Sequence, residues 1–398
     1  MNSTVQVATS TTEKVAVPNF IKKNIREYGM LLALAVIMVF FQYMTNGTLM
    51  QPLNLTNLLL QNSYIVIMAL AMLLVIVTGV VDLSVGSVVG FIGALGAVLM
   101  VELHWHYIPA TLVCLLAGAL IGGLQGYFIA FHRIPAFIVT LGGMLVFRGA
   151  TLALLNGQSI GPFPPQFQLL SSGFIPDPLG GESLRITSLL IGVIVAIWLF
   201  VMSLRTHADR VRYGAATEPH GFVILKNVVF SAAIIGLSYQ LSTYKGLPNV
   251  LIVMFVLMMG FDFFTNRTTT GRRIYALGGN EKAARLSGIK TDWLQFNTFV
   301  SMGVLSALAG LVFAARLNTA TPKAGVGFEL DVIAACYIGG ASATGGVGKV
   351  TGAVIGAFIM GVMNNGMSIL GIGIDYQQVV KGIVLVAAVF VDIYNKNK

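Results

Sequence analysis

The feature that most constrains this chain is a succession of long apolar runs separated by short polar segments. A membrane-crossing α-helix needs about 20 predominantly apolar residues, and most of the runs approach that length. Only 10% of the 398 residues are charged and 56% are hydrophobic, whereas soluble domains carry roughly 25% charged residues. The chain therefore cannot cover its apolar surface with water-facing side chains, and the sequence predicts an all-α polytopic membrane protein.

We predict about twelve membrane helices, some of them short or broken. A polar tail at residues 1–28 precedes a single membrane domain at residues 29–394. The run 330–341 is too short for a full crossing. The predicted spans are 29–44, 62–80, 84–101, 109–131, 136–155, 187–204, 221–241, 248–265, 293–315, 330–341, 350–371 and 374–394.

The distribution of basic residues predicts the orientation. With alternating spans and a cytoplasmic N-terminus, 17 of the 24 Lys and Arg fall in cytoplasmic segments and four in outer loops. This bias is the one that cytoplasmic loops show in membrane proteins, so both termini are predicted to be cytoplasmic. The net charge of +9 is spread between the spans rather than gathered in a patch, which argues against nucleic-acid binding.

One acidic residue lies between two apolar runs, in the stretch "VTGVVDLSVGSVVG" at residues 77–90. A carboxylate there is costly unless it is satisfied. Asp82 and Ser84 have the pattern of a helix N-cap. The same residues could also border a polar path at a break between two helices, as in many transporters, and the two interpretations are compatible.

Two further acids, Glu329 and Asp331, begin the short run at 330–341. They fit the first turn of an interfacial helix, where the helix dipole favours negative charge. They also fit an outer gate or a docking surface. The glycine-rich segment that follows, "GGVGKVTG", lacks the spacing of a Walker A loop, so we predict no nucleotide site in this chain. Arg148 and Lys381 lie inside apolar runs and need partners that the sequence does not identify.

The longest predicted cytoplasmic connection is residues 266–292. Asn280 is a suitable N-cap, Glu281 suits a first turn, and Gly288 suits a helix stop, so a short helix is expected there. The segment is either a solvated loop with basic topology anchors or a connector that a cytoplasmic partner grips.

Small residues recur every fourth position in two runs, Gly118, Gly122 and Gly126, and Gly348, Gly352 and Gly356. Each stripe predicts a close contact between two helix backbones. No grouping of His, Cys, Ser or acidic residues has the spacing of a catalytic or metal site, and the two cysteines are expected to be buried hydrophobes.

Five segments together carry a resemblance to a known family. They are "GVVDLSVGS" (79–87), "IPAFIVTLGGMLVFRG" (134–149), "GRRIYALGGNEKAARLSGI" (271–289), "FELDVIAACYIGGASATGGVGKVTGAVIGA" (328–357) and "NNGM" (364–367). In this order they resemble the permease subunit of ribose/xylose/galactose-type ABC sugar importers. An extra piece at about 186–241, with two more spans, is similar to the xylose-type and multiple-monosaccharide permeases.

The resemblance implies a type II importer core of ten helices with about two added, in the bacterial inner membrane. It implies a second copy of the chain, a periplasmic sugar-binding protein, and a cytoplasmic ATPase subunit with two nucleotide sites that binds ATP and Mg, with no cofactor in this chain. It places the translocation path or gate at Asp82, Ser84, Glu329, Asp331, Asn364 and Asn365. It places the ATPase contacts at Gly279, Asn280, Glu281, Ala284, Arg285, Ser287 and Gly288.

Three other functions are weighed against this one. An ion-coupled sugar transporter needs a titrating carboxylate on its path, and Asp82 is the best candidate. A passive channel needs neither ATP nor a delivery protein, and a membrane enzyme needs a catalytic group that the sequence lacks. The sugar itself stays open among xylose, galactose, glucose, arabinose and a sugar-like signal, because selectivity is expected largely in the delivery protein.

Overall fold

The computed structural model describes residues 25–180, 184–214 and 218–396, and the described residues contain fifteen α-helices and no β-strand. The helices are α1 (Ile25–Met44), α2 (Pro52–Val77), α3 (Val85–Ala97), α4 (Tyr107–Ala130), α5 (Ala136–Leu154), α6 (Pro165–Gln168), α7 (Ile186–Arg212), α8 (His220–Ser242), α9 (Val250–Arg267), α10 (Thr269–Gly279), α11 (Glu281–Leu286), α12 (Thr291–Leu317), α13 (Phe328–Ile338), α14 (Val350–Ile369) and α15 (Ile374–Lys396). A π-helical turn, Val98–Glu102, continues α3.

The predicted all-α membrane fold is confirmed. Ten of the described helices are long and apolar enough to cross a membrane. The two remaining predicted spans fall on shorter apolar elements. One is α1, whose described apolar stretch is Gly29–Met44. The other is α13, which has 11 residues and is therefore about 16 Å long, roughly half the thickness of a bilayer's hydrocarbon core.

The buried centre of the bundle is α2, which begins ten residues earlier than the predicted span at 62. Polar residues in its first turns hid this start from the hydropathy pattern, and other parts of the fold satisfy them. Asn54, for example, donates to the carbonyl oxygen of Leu49 at 2.8 Å. From Tyr64 to Val77 every residue of α2 is buried. Helices α9, α12, α13 and α14 pack around it.

At several glycines the backbones of two helices are in direct contact, as the two stripes predicted. On α4, a Cβ at Gly118 or Gly122 would overlap backbone atoms of α12 near Gly303. On α14, a Cβ at Gly352 or Gly356 would overlap the end of α13. Gly348, the third glycine of the second predicted stripe, lies two residues before α14 and meets side chains of α2 instead. For Gly118, Gly122, Gly352 and Gly356 the predicted close faces are present, and the structure identifies the partner helix of each.

The chain divides into two compact units. Of the described residues, one unit contains 30–175 and 247–396, and it includes helices α2–α6 and α9–α15. The other contains 176–180, 184–214 and 218–246 together with 25–29. In this second unit α7 and α8 form a helical hairpin, and Gly192 of α7 lies against the side chain of Ser238 of α8.

Candidate functional site

The start of α13 carries two buried carboxylates inside the apolar bundle. Glu329 and Asp331 each expose only 6% of their surface. They lie two positions apart in the first turn, and residues at that spacing point to different sides of a helix. The sequence placed both in a first helical turn, and the structure confirms that placement.

Both carboxylates are paired with cations from helices at the outside of the bundle. Arg148 of α5 donates to Glu329 at 2.9 Å, and Lys381 of α15 donates to Asp331 at 3.0 Å. Asn364 of α14 also reaches Asp331, at 3.3 Å. The two cations that the sequence left without partners are therefore matched by the two predicted gate carboxylates. The two cations neutralise the two carboxylates, which lowers the free-energy cost of burying these carboxylates in an apolar bundle.

Each pair leaves polar atoms unused. Several of the buried atoms that lack a hydrogen-bond partner among the described residues adjoin these pairs: Arg148 Nε and Glu329 Oε2 on one side of α13, and Asp331 Oδ1 and Asn364 Oδ1 on another. Native proteins satisfy the large majority of buried polar atoms, so four unsatisfied atoms around the first turn of one short helix are unusual. Three of the four atoms are acceptors and one is a donor, which suits a ligand rich in hydroxyl groups.

Aromatic rings adjoin these polar groups. The ring of Tyr64 on α2 stacks on Phe328, the first residue of α13, at a centroid distance of 4.8 Å. Phe313 of α12 meets both rings edge-on, at 5.0 and 5.2 Å. Since Tyr64 lies at the middle of the 26-residue helix α2, the N-terminus of α13 lies inside the bundle rather than at its end.

The first turns of α3 and α13 meet through glycine. A Cβ on Gly86 of α3 would overlap the carbonyl oxygen of Gly325 and the carboxylate of Glu329. One turn further along α3, a Cβ on Gly90 would press on the carbonyl of Ala324, 2.6 Å away. Two helix starts therefore approach each other within the bundle, which is the arrangement of broken helices that transporters use at binding sites.

Asp82 lies in the connection that leads into α3 and is 3% exposed. Its Oδ1 accepts the backbone N–H of Ser84 at 2.8 Å and the Ser84 hydroxyl at 2.7 Å. The N-cap residue of α3 is Ser84, so the expected cap is shifted. The carboxylate of Asp82 closes a turn just before the helix instead of capping it, because α3 begins at Val85 rather than at Leu83.

A residue that the sequence analysis missed completes this group. Gln125 Nε2 on α4 donates to Ser84 Oγ at 2.9 Å, while the Ser84 hydroxyl donates its proton to Asp82. Gln125 is 5% exposed. Gly143 of α5 lies directly against its amide. The sequence feature that could have identified Gln125 is its amide side chain on the glycine-striped face of α4, one position before Gly126.

The two adjacent asparagines of α14 have different environments. Asn364 faces Asp331, as described above. Asn365 forms a reciprocal amide pair with Asn54 of α2, with N–O distances of 2.9 and 3.1 Å. Of the six predicted path residues, the structure joins Asp331 to Asn364 and places Glu329 on a different side of the same helical turn, with Arg148. It groups Asp82 with Ser84 and places Asn365 in a separate contact between helices.

The predicted short helix after Asn280 is α11. The Asn280 side chain accepts the N–H of Ala283 at 3.0 Å, and Gly288 has a positive φ of 79° after the helix end. The details of the expected cap are therefore confirmed. Residues Gly279, Asn280, Glu281, Arg285, Ser287 and Gly288 are exposed, and Ala284 is buried at 6%.

The exposed face of α11 also presents Leu286, which the sequence analysis did not single out. Leu286 is 90% exposed. Arg285 points back toward α12, donating to Asp292 at 2.6 Å and to the hydroxyl of Thr291. Its bond to Glu281 is longer, at 3.5 Å. Arg285 therefore fixes α11 on α12, while Leu286 projects into solvent.

A backbone junction joins α10 and α11 to the buried core. The N–H of Gly346 donates to the carbonyl of Val77, the last residue of α2, at 2.9 Å. Gly278 of α10 lies so close that a Cβ there would overlap that carbonyl. The hydroxyl of Tyr275 donates to the carbonyl of Gly348 at 2.9 Å. Burial raises the pKa of Tyr275 to about 12, so the donating phenol stays protonated at neutral pH.

Within the part of the chain that the structure describes, no group of three or more His, Cys, Asp or Glu could hold a metal ion. The polar groups at the start of α13 are two carboxylates neutralised by two cations, a set suited to an uncharged polar ligand.

A bundle of apolar helices, with broken helices that meet at a polar site inside it and a short exposed helix at one end, is a membrane transport protein. The chain belongs to the family described as branched-chain amino acid transport system / permease component, whose profile matches residues 54–389.

Relatives of known description agree with this assignment. The chain is 38% identical to the xylose transport system permease protein of Haemophilus influenzae, over 94% of this chain and 98% of that protein. It is 36% identical to the xylose transport system permease protein of Escherichia coli K12, over 94% and 93% of the two chains. It is 34% identical to the ribose import permease protein of the same strain, over 85% of each. No solved structure gives a significant match.

Proposed function

We propose that this chain is the transmembrane permease subunit of an ATP-driven importer of a monosaccharide, D-xylose or a related pentose or hexose. The observation that carries the proposal is the similarity to a xylose permease over nearly the full length of both chains. The polar site at the start of α13 supports it, because carboxylate, amide and aromatic groups are the ones that bind sugar hydroxyls and ring faces.

In this proposal the sugar passes the N-terminus of α13. Asp331 Oδ1, Glu329 Oε2 and Asn364 Oδ1 accept hydrogen bonds from sugar hydroxyls that have left water. Asp82 and Ser84, held by Gln125, form a second polar point before α3. A transport path has to bind weakly enough to release its cargo, so a few unpaired acceptors are preferable to a closed cage.

The ATPase subunit contacts the exposed surface around α11. This contact surface consists of Gly279, Asn280, Glu281, Ser287 and Gly288, with Leu286 as its apolar centre. We leave Ala284 out, since its side chain is buried, and assign Arg285 to the joint with α12. ATP and Mg are bound by that partner, and a change of its shape moves α11. ATP drives the switch only because it binds the two states with different affinities.

The remaining assignments complete the proposal. Two copies of the permease work together with a periplasmic sugar-binding protein in the bacterial inner membrane, with both termini in the cytoplasm. Residues 1–28 form a cytoplasmic tail, residues 29–394 the permease domain, and about 186–241 an added two-helix insertion. The contact surface around α11 belongs to the cytoplasmic connection 266–292.

The test is sugar-stimulated ATP hydrolysis. The chain is reconstituted with its ATPase and delivery protein, and xylose, galactose, arabinose, glucose and ribose are added in turn, with leucine as the amino-acid comparison. We expect one sugar to stimulate hydrolysis and leucine to have no effect. Stimulation by leucine alone, or uptake driven by an ion gradient without the ATPase, would overturn the proposal.

Substitutions of the adjacent Asn364 and Asn365 form a matched pair that tests the polar site. Asn364→Ala removes an acceptor from the polar site together with the Nδ2 donor to Asp331, so we expect slower sugar transport per folded molecule and also a lower Tm. Asn365→Ala breaks the amide pair and leaves Asn54 only its bond to Leu49, so we expect a lower Tm and a transport rate per folded molecule close to wild type. The assignment of the path fails if Asn364→Ala transports normally while Asn365→Ala is slow at full stability.

A further inference from the structure

A cavity of about 510 Å³ lies beside the helix that leads to α11, away from the polar site at α13. Its volume is within the roughly 300–1,000 Å³ typical of small-molecule pockets. Its inner wall is made by Leu74, Ile274, Leu294 and Thr298, which belong to α2, α10 and α12 and are all buried. The proposed transport function leaves this cavity unused.

The outer wall of the cavity is one face of α9. Val256, Gly260 and Phe264 follow each other at helical spacing along this wall, over about 12 Å. Val256 is 61% exposed, and Gly260 has open space where a Cβ would be. The cavity therefore adjoins the exposed apolar surface of a membrane-spanning helix, and its length is close to the roughly 15 Å of one bilayer leaflet's hydrocarbon.

One end of the cavity is marked by positive charge. Thr270 lines the cavity at the start of α10. Arg267, Arg272 and Arg273 lie within three residues of it, and all three are exposed. An apolar cavity one leaflet long, with arginines beside its end, complements an anionic phospholipid, whose tail is apolar and whose phosphate is negative.

We propose that the cavity between α9, α10 and α12 binds an anionic phospholipid, with one acyl chain inside and the phosphate against Arg267, Arg272 and Arg273. Ile274 of α10 forms part of the wall, so the bound chain packs against the helix that carries Gly278 and leads to α11. The lipid is then a structural ligand of this helix.

The test measures lipid immobilisation, which does not depend on transport activity. The full chain is placed in phosphatidylcholine nanodiscs that contain phosphatidylglycerol spin-labelled on its acyl chain, and the immobilised fraction is read by electron paramagnetic resonance. We expect immobilisation of labelled phosphatidylglycerol to exceed that of labelled phosphatidylcholine.

Two kinds of variant separate the tail from the headgroup. Ser301→Phe, or Leu257→Trp as a second choice, fills the cavity and should abolish the excess of immobilised phosphatidylglycerol over immobilised phosphatidylcholine. Arg272→Gln with Arg273→Gln should weaken the binding of phosphatidylglycerol by about 25-fold, since each basic residue near an anionic surface contributes about a five-fold gain. Arg205→Gln with Arg210→Gln removes the same charge from the end of α7 and should change nothing.

Three results would overturn the proposal. The first is an excess of immobilised phosphatidylglycerol over phosphatidylcholine that survives in both cavity-filling variants. The second is equal immobilisation of the two lipids. The third is a spontaneous disulfide between two copies of a Val256→Cys variant, with lipid excluded, because a second chain would then cover the cavity.

Discussion

At the scale of single residues, the main feature is a close contact between backbone segments that only glycine permits. Gly278 and Gly279 are neighbours at the end of α10, but only Gly278 lies against the core. The junction of Gly278 with Val77 and Gly346 ties the segment that holds α11 to the buried helix α2. A displacement of α10 would therefore act directly on the backbone at the end of α2.

The first prediction contrasts these two glycines. Gly278→Ala places a Cβ in the space of the Val77 carbonyl, and backbone has to shift, at a cost of about 1–3 kcal/mol. We expect a lower Tm and weakened coupling of ATP hydrolysis to sugar. Gly279→Ala is the control for the Tm, because a Cβ there has nothing within 4 Å. Since Gly279 belongs to the proposed ATPase contact surface, the control for coupling is Gly236→Ala on α8, where a Cβ also has nothing within 4 Å. A Gly278→Ala variant that behaves like these controls would contradict the proposed junction.

The second prediction concerns the Arg148–Glu329 pair. Arg148→Gln leaves a carboxylate with 8% side-chain exposure without its cation. Breaking a fully buried pair costs about 3–5 kcal/mol, and we expect about 2–3 because 36% of the Arg148 side chain is exposed. Adding Glu329→Gln removes the orphaned charge and should restore part of the loss. Thermal unfolding in detergent measures each step, and a double variant no more stable than Arg148→Gln would contradict the coupling of the pair.

At the scale of elements, α13 and α11 are both short helices whose position matters more than their length. α13 starts inside the bundle and is held on two sides by cations from α5 and α15. α11 has six residues and is held by its Asn280 cap and by Arg285 against α12. Each is fixed by a few ion pairs and hydrogen bonds. At α13 several hydrogen-bond acceptors remain without a donor, and at α11 the side chain of Leu286 remains exposed.

The third prediction tests the exposed end of α11. Leu286→Ser should weaken association with the ATPase subunit by about tenfold or more, since a central apolar contact typically accounts for over 1–2 kcal/mol. The Tm should stay constant because Leu286 is 90% exposed. Tyr213→Ser, at the end of α7, is the control, with an exposure of 82%. Co-purification and sugar-stimulated hydrolysis are the readouts, and an unaffected Leu286→Ser complex would remove α11 from the interface.

At the scale of the whole molecule, the packing of apolar helices around α2 follows from the small number of charged residues. Helices packed around α2 bury its side chains, and the outer helices present apolar side chains to lipid. Of the buried carboxylates, Glu329 and Asp331 are each paired with a cation, and Asp82 is held by hydrogen bonds from Ser84. The distribution of basic residues in the loops predicts how this bundle is oriented in the membrane. That prediction can be tested on the full chain.

The fourth prediction addresses that orientation. A cysteine at position 282, on the exposed side of α11, should react with a membrane-impermeant thiol reagent only from the cytoplasmic side. The natural cysteines, Cys114 and Cys336, are both 0% exposed, so they should contribute little background. Labelling of intact cells from outside would reverse the predicted topology.

The sequence by itself determined the features that depend on neighbouring residues. Apolar runs predicted the membrane helices, the Asn280 cap predicted α11, and the glycine spacing predicted close helix faces. These features are local, because hydropathy, capping and helical periodicity act within a few turns of the chain. The local error at Asp82 concerns the cap, because Ser84 is the N-cap of α3, whereas the predicted span at 84–101 begins within one residue of Val85.

Only the tertiary structure decided which groups meet. Arg148 and Glu329 are 181 residues apart in the chain, and Lys381 and Asp331 are 50 apart. Pairing across such distances is set by which helix faces pack together, and no local pattern encodes it. For the same reason the sequence could not separate Asn364 from Asn365. Adjacent positions on a helix point about 100° apart, so one faces the polar site and the other faces α2.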